Sequence, residues 1–380
     1  MFQFSAKSIQ VLGVLTILSL LAFITVEYTK TDVKRKWYNQ KLEASVLAQT
    51  AANYLKDTRL QKGIFIDAVN DPNETALIGQ DITQITTDRG YIDSKLTSLN
   101  PNFAAVIVEM LKDAGVNNND VAAISFTGSL PGINIAVMAA VQTLKLKPVI
   151  ITSVGASNWG ANDPYFTWLD MEKELFDAGI FHNKSVAASI GGGLDKGRGL
   201  SPEGRKLIED AIDRTGTVFI NEEFIEKSVE KRLEIYNKER KNKPIKVYIN
   251  VGGGIASLGS TENTQFIPTG LIEALPLINY PSNGVLIRMA KDKIPVIHLL
   301  NITELAAKYG LPVSPKPLPH PGSGEVFVKR QYNIVYTAIA VLVLIISVIF
   351  VYFREKHLHK LGADQAALLG RNNADDNPGL

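Results

Sequence analysis

Four glycine-bearing segments in the middle of the sequence contain residue types that can bind an anion or supply a nucleophile. They are FTGSLPG from Phe126, TSVGASNWG from Thr152, SIGGGLDKGRG from Ser189 and NVGGGIASLG from Asn250. Each follows an apolar run, and glycine lets main-chain N–H groups approach a ligand closely. The segments predict a ligand site formed by Gly128, Ser129, Gly155, Asn158, Gly191, Gly192, Gly193, Asp195, Lys196, Arg198, Gly252, Gly253 and Gly254.

Ser129 is the nucleophile candidate in the first segment, and its neighbours leave more than one interpretation open. A nucleophile elbow has glycine two residues before and two residues after the serine, but Thr127 and Pro131 stand there. A phosphate-binding loop requires a lysine that the segment lacks. In the remaining interpretation, Ser129 caps a helix that starts near Ile133, with Pro131 in the loop or the first turn.

The third segment carries the most charge. Asp195, Lys196 and Arg198 stand beside three consecutive glycines, and cationic side chains at the start of a helix suit a carboxylate or a phosphate. Ser201 followed by Pro202 predicts the start of that helix. The predicted partner is therefore an anionic ligand, although the same residues are compatible with a solvated loop.

Two carboxylates after the second segment are further catalytic candidates. Asp163 and Asp170 stand near Trp159 and Trp168, and such polar and aromatic clustering after a strand is typical of a pocket wall. An Asn-Asp-Pro turn followed by an amphipathic helix explains the same residues. No spacing of histidines or cysteines supports a metal here, so we predict no metal site, and the sequence identifies no cofactor.

Alternating strands and helices must position these loops. The apolar runs are separated by helical patterns such as INIAVMAAVQTLKL and SPEGRKLIEDAIDRTG. Strands that are apolar on both faces and separated by helices form a largely parallel sheet with helices on both sides. We predict an α/β, doubly wound domain over residues 29–308, with a helical extension at 29–62 and glycine-rich loops at the carboxyl ends of its strands.

Apolar segments at both ends predict transmembrane helices in residues 1–28 and 332–353. The second is flanked by basic residues and has tyrosines at both edges. A cleaved signal peptide is the alternative for the first. With two spans, both termini lie on one side of a cell membrane, and the basic residues at the flanks favour a cytosolic central domain.

The remaining segments and the composition limit the function further. The Pro-rich stretch 309–331 predicts a tether, and the polar residues 354–380 predict a disordered tail. A net charge of +2 gives no indication of a nucleic-acid-binding face, so no nucleic-acid partner is predicted. The chain has no cysteine, which excludes disulfides, thiolate metal sites and a cysteine nucleophile.

Five segments, taken together and in order, resemble the poly-gamma-glutamate system protein family. They are NPNFAAVIVEMLKDAG, FTGSLPGINIAVMAA, SVGASNWGANDPYFTWLDME, GGGLDKGRGLSPEGR and YINVGGGIASLG. With the two end spans, the resemblance covers the chain up to the polar tail. It implies a role in making, exporting or anchoring poly-gamma-glutamate beside the membrane-bound synthase and export subunits, but it carries over no catalytic residue.

Three functions are compatible with these observations. The first is a membrane-anchored accessory component of poly-gamma-glutamate biosynthesis and export, with a pocket for glutamate, a glutamyl chain or a nucleotide. The second is an amide hydrolase or transferase that trims, releases or attaches the polymer, using Ser129 or a metal at Asp163 and Asp170. The third is a structural scaffold. The sequence leaves open whether the protein is an enzyme.

Overall fold

The computed structural model describes residues 8–64 and 66–375, with side chains described up to residue 367. The chain divides into two compact units: Lys34–Val328 forms one, and the flanking terminal segments form the other. Within the described residues the fold is mixed α/β, with twelve α-helices, one short 3₁₀ helix and eleven strands.

The helices are α1 Ile9–Tyr28, α2 Tyr38–Gln61, α3 Ile92–Ser98, α4 Phe103–Asp113, α5 Pro131–Thr143, α6 Trp168–Asp177, α7 Pro202–Arg214, α8 Ile225–Glu239, α9 Ile255–Leu258, α10 Val285–Lys291, α11 Ile302–Lys308 and α12 Ile334–Asp375, with the 3₁₀ helix at Glu262–Gln265. The strands are β1 Thr31–Lys34, β2 Thr86–Asp88, β3 Val121–Thr127, β4 Lys147–Ser153, β5 Ala156–Ser157, β6 Ala187–Ser189, β7 Val218–Phe219, β8 Ile245–Val251, β9 Gly270–Ile272, β10 Val296–Leu299 and β11 Val328–Gln331.

The central sheet has seven strands in the order β7-β6-β4-β3-β8-β10-β9. Neighbouring strands are parallel from β7 to β10, and β9 pairs antiparallel with β10. This confirms the predicted mostly parallel sheet. The chain runs outward from β3 through β4 and β6 to β7, and then places β8 on the other side of β3. Loops that leave β3 and β8 therefore diverge, which opens a crevice at the carboxyl ends of these strands.

The central strand β3 is buried along its whole length. Ala122 and Ile124 belong to one hydrophobic cluster with residues of α2, α4 and α5, whereas Val121 and Ala123 belong to another with residues of α8 and α10. Successive strand residues point to opposite faces of a sheet. Both faces of β3 are therefore covered by packed side chains, which explains why its sequence is apolar without alternation.

The Pro-rich segment differs from the predicted tether, because its residues 309–328 belong to the Lys34–Val328 unit. The carbonyl oxygen of Pro315 accepts from Asn73 Nδ2 at 2.8 Å, and that of His320 accepts from Asn102 Nδ2 at 2.9 Å. Phe327 is fully buried in the main cluster. These hydrogen bonds satisfy main-chain carbonyl oxygens of the segment, so residues 309–328 are part of this unit.

The predicted helical extension over residues 29–62 is interrupted. Strand β1 and a turn at Trp37, with φ +58°, separate α1 from α2. The α2 helix is a domain element, because its alanines Ala44, Ala48 and Ala51 are buried in the main cluster. Small side chains on one face let this helix pack closely against α4 and α5.

The terminal unit contains α1 and α12, which contact each other. Both helices are long and apolar enough to cross a membrane, and only 6% of the residues in each apolar stretch are buried, unlike a core helix. The α12 helix continues to Asp375, so the prediction of a disordered tail is wrong for residues 354–375. Alanine, leucine and glutamine in that stretch are good helix formers. Residues 1–7 and 376–380 lie outside the described part of the chain.

Candidate functional site

A cleft of about 640 Å³ lies at the carboxyl ends of β3, β4, β8 and β10. This volume is in the range of small-ligand sites. The lining residues from the strand ends and their loops include Thr127, Ser153, Gly253 and Leu300. A further wall comes from residues of β2, of the first part of α3 and of the turn between them, within the range 87–95. The cleft therefore occupies the crevice where the strand order reverses.

The structure brings most of the predicted ligand-binding residues to this cleft. The predicted residues that line it are Ser129, Gly155, Gly192, Gly193, Arg198, Gly252, Gly253 and Gly254. The predicted residues that are not part of its lining are Gly128, Asn158, Gly191, Asp195 and Lys196.

Asn158 is not part of the cleft lining but stabilises the cleft wall through hydrogen bonds. Its Nδ2 donates to the main-chain oxygen of Asp81 at 2.6 Å, and its Oδ1 accepts from the N–H of Gly90 at 2.9 Å. Strand β2 also pairs with β5 in a small parallel sheet. These contacts fix the segment that carries Arg89 and Gly90 above the second loop.

Asp195 differs most from its predicted role, because its carboxylate is buried. It forms an ion pair with Arg232 of α8 at 3.0 Å, and both side chains are at most 2% exposed. Ser189 and Ser228 donate to the carboxylate at 2.7 and 2.6 Å. A buried carboxylate with such partners anchors the third loop to α8 and is not free for a ligand.

Arg198 lies on the same loop but is exposed at the cleft. Arg89, in the turn between β2 and α3, also lines the cleft and is exposed. None of the ion pairs among the described residues involves either guanidinium group. The cleft therefore presents two cations that a bound anion can neutralise.

Two glycines are required by the close approach of the loops. Gly252 has φ +85°, and a Cβ at this position would lie 2.3 Å from Thr127 Oγ1. Gly192 has φ +65°, and its Cβ would lie 2.9 Å from Thr87 Cγ2. Any side chain at either position would thus meet both a steric clash and an unfavourable backbone conformation.

The Thr127 hydroxyl is a buried polar group that lines the cleft. Thr127 is 5% exposed, and its Oγ1 has no hydrogen-bond partner among the described residues. Leaving such a hydroxyl unsatisfied costs roughly 1–3 kcal/mol. A ligand atom or an ordered water in the cleft would remove that cost, so the position favours a polar occupant.

Ser129 does not cap α5. The residue before the helix is Leu130, with no side-chain capping bond, and Ser129 Oγ instead accepts from the Ser157 N–H at 3.1 Å. Ser129 is half-buried and lines the cleft. In contrast, the predicted cap of α7 is confirmed, because Ser201 Oγ accepts from the Gly204 N–H at 3.0 Å.

Lys95 of α3 lies beside these serines and is 3% exposed. Its Nζ donates to the main-chain oxygen of Ser129 and hydrogen-bonds Ser157 Oγ at 2.7 Å. No carboxylate among the described residues pairs with it. Burial lowers the pKa of Lys95 from 10.5 to about 7 because the charged ammonium loses its hydration.

Asp163 and Asp170 do not line the cleft. Asp163 Oδ1 accepts from the Tyr165 N–H at 2.9 Å in a turn. Asp170 forms a capping box with Thr167 at the start of α6 and pairs with Arg214 at 2.6 Å. Both carboxylates therefore stabilise local structure. Among the described residues, no group of three or more metal-ligating side chains could hold a metal ion.

Three residues of the cleft lining were not predicted from the sequence: Arg89, Lys95 and Ser157. The Arg-Gly pair after β2 resembles the other glycine loops, and this signal could have identified Arg89. Ser157 lies within the second glycine-bearing segment, TSVGASNWG. Lys95 carries no local signal, because its burial results from packing of α3 against α5 and α11.

No protein-family model, curated protein or solved structure matches the chain. The fold and the cleft themselves define a mixed α/β protein with two apolar terminal helices and a glycine-lined, basic cleft at one end of its sheet.

Proposed function

We propose that the protein is a membrane-anchored accessory component of poly-gamma-glutamate biosynthesis and export, and that its cleft binds an anionic ligand, most simply a glutamyl chain. The assignment to this pathway rests on the resemblance of five sequence segments. The ligand class is supported by one observation: Arg89 and Arg198 lie at a cleft that is lined by glycine loops, and neither forms an ion pair within the described part of the chain.

A glutamyl chain matches the chemistry of this cleft. Each γ-linked residue carries one free carboxylate, which a guanidinium group can bind through two parallel hydrogen bonds. The amide groups of the chain can use polar atoms of the wall, including the unsatisfied Thr127 hydroxyl. In this proposal the domain is doubly wound, and its glycine loops bind the ligand at the carboxyl ends of the strands.

The same proposal assigns α1 and α12 to the membrane. Both termini then lie on one side of the bilayer, and the domain faces the cytosol with the synthase and export subunits as partners. The length, composition and exposure of the two helices support the spans. The charge count at their flanks supports the orientation.

Thermal unfolding of the full-length protein in detergent tests the ligand. Glutamate, γ-linked oligoglutamate, ATP with Mg²⁺ and ADP are each added in excess. A ligand at 100 times its Kd stabilises the folded state by about 2.7 kcal/mol, which raises the Tm by several degrees. We expect this rise with γ-linked oligoglutamate, and its loss in Arg198→Ala and Arg89→Ala.

Arg288→Ala is the matched control, because Arg288 is exposed on α10 outside the cleft lining. It should keep the full shift. An equal shift in the Arg198→Ala and Arg89→Ala variants would contradict the location of the site. No shift with any of the four compounds would contradict an anionic-ligand pocket and favour a scaffold.

A further inference from the structure

A buried amine and a hydroxyl are in direct contact in the wall of the cleft. Lys95 Nζ lies 2.7 Å from Ser157 Oγ, and both residues line the cleft although they are only 3% and 9% exposed. A lysine that serves only packing usually extends its ammonium to water or pairs it with a carboxylate. The Lys95 side chain is buried, and it pairs with no carboxylate among the described residues. Its amine instead contacts a hydroxyl in the cleft wall, as the amine of a catalytic lysine does.

The protonation state of Lys95 permits base chemistry at this contact. With a pKa of about 7, about half of the amines are neutral near neutral pH. A neutral amine keeps one lone pair, which can accept the Ser157 proton, while one N–H still donates to the Ser129 carbonyl oxygen. This is the arrangement of a serine nucleophile with a lysine base.

The shift comes from burial and not from a neighbouring charge. The α5 helix, packed on one side of α3, has no charged residue in its sequence. The charged and titratable side chains near Lys95 along the cleft wall, on α3 and on the packed helix α11 are Asp88, Arg89, Tyr91, Asp93, Arg198, Glu304 and Lys308.

We propose that Ser157 is the nucleophile of an acyl-transfer reaction at an amide bond and that Lys95 is its general base. This inference rests on the proposed function, because the amide belongs to the glutamyl chain bound in the same cleft. It differs from the predicted Ser129 nucleophile, since the lysine amine contacts the hydroxyl of Ser157 and only the main-chain oxygen of Ser129.

The proposed reaction transfers only protons and an acyl group, so it uses neither a metal nor an oxidant. Ser157 Oγ gives its proton to Lys95 Nζ and attacks the amide carbonyl carbon. The protonated Lys95 then gives that proton to the amide nitrogen, the C–N bond breaks and an amine leaves, so an ester joins the glutamyl group to Ser157. Water or a second amine then attacks the ester carbonyl carbon and gives a proton to Lys95 Nζ. The C–O bond to Ser157 Oγ breaks, Lys95 gives that proton to Oγ, and the glutamyl group leaves as a carboxylic acid or a new amide.

Ser129 and Gly90 position the pair. Ser129 Oγ accepts a hydrogen bond from the Ser157 N–H at 3.1 Å, and the Ser129 carbonyl oxygen accepts one from Lys95 Nζ. A Cβ on Gly90 would lie 3.1 Å from both Lys95 Cε and Ser157 Oγ. Glycine therefore leaves the space beside the pair unfilled, where a side chain would crowd the reacting hydroxyl.

Covalent labelling of the full-length protein in detergent tests the pair. A fluorophosphonate probe bonds to an activated serine and releases fluoride, and mass spectrometry locates the adduct. We expect one adduct on Ser157, with a rate that rises with pH around a midpoint near 7. Ser157→Ala should abolish it, and Lys95→Met or Lys95→Arg should slow it by about 100-fold or more.

Ser129→Ala should still form the adduct on Ser157, but more slowly, because it loses the hydroxyl that accepts from the Ser157 N–H. Ser282→Ala is the control, because Ser282 is partly exposed and outside the cleft lining. Lys95→Met and Lys95→Arg remove the base while retaining most of the buried volume, and their Tm shows whether they fold. Labelling at another serine, no labelling, or a Ser157 rate unchanged in both folded lysine variants would overturn the assignment.

Binding is measured separately, so the two proposals can fail independently. Ser157→Ala should still show the Tm shift with γ-linked oligoglutamate, because it removes only a hydroxyl. A retained shift without labelling refutes the catalytic pair and keeps the binding site. Labelling without a shift keeps the catalytic pair and refutes the glutamyl ligand.

Discussion

Removing one partner of the buried Asp195–Arg232 ion pair is expected to destabilise the domain strongly. The side chains are 2% and 1% exposed. Loss of one partner leaves the other charge buried without compensation, which costs about 3–5 kcal/mol. Total stabilities are about 5–15 kcal/mol, so Arg232→Met or Asp195→Asn should lower the Tm by about 6–20 °C. Asparagine suits position 195, because φ there is +59°.

The double variant separates the charge effect from a packing effect. Arg232→Met with Asp195→Asn removes both charges, and replacing a whole buried ion pair is often neutral or stabilising. Nε and Nη1 of Arg232 have no partner among the described residues, so the pair is incompletely satisfied even in the native protein. We expect the double variant to recover at least about 2 kcal/mol relative to the sum of the single variants.

Tryptophan fluorescence of the full-length protein during heating provides the assay, since Trp168 is fully buried in the core. Glu230→Gln is the control, because it removes a surface ion pair on the same helix, which is worth less than about 1 kcal/mol. A cost below about 1 kcal/mol in each single variant, or a double variant that loses the full sum, would refute the role of the buried charges.

Two further predictions concern the core and the membrane. Burial raises the pKa of Glu172 from 4.5 to about 7, so the folded state binds a proton that the unfolded state has released, and stability should fall as pH rises from 4.5 to 7. Glu172→Gln should remove this decline and be more stable than wild type at pH 8 by about 2–3 kcal/mol, as measured by unfolding at pH 5 and 8; parallel pH profiles would refute the burial argument. For the membrane, protease added to intact spheroplasts should spare the central domain and cleave it after lysis, as detected by immunoblot; cleavage before lysis would reverse the proposed orientation.

Features that depend on local pattern could be predicted from the sequence. The apolar runs predicted a mostly parallel sheet because buried parallel strands lack polar alternation, and the Ser-Pro signature predicted the start of α7 because capping involves only adjacent residues. The glycine motifs identified loops from which Ser129, Gly192, Arg198 and Gly253 line the cleft. Two apolar terminal helices were equally evident, since length and composition alone define them.

The environment of each charged group was decided by the tertiary structure. Asp195 and Arg198 are three residues apart on one loop, yet one is buried against Arg232 and the other is exposed at the cleft. Lys95 has no sequence feature that marks it, and its contact with Ser157 joins residues 62 positions apart. Long-range packing determines whether a side chain is buried and which groups it contacts. Burial and contacts in turn determine whether a titratable group anchors a loop, binds a ligand or has a shifted pKa.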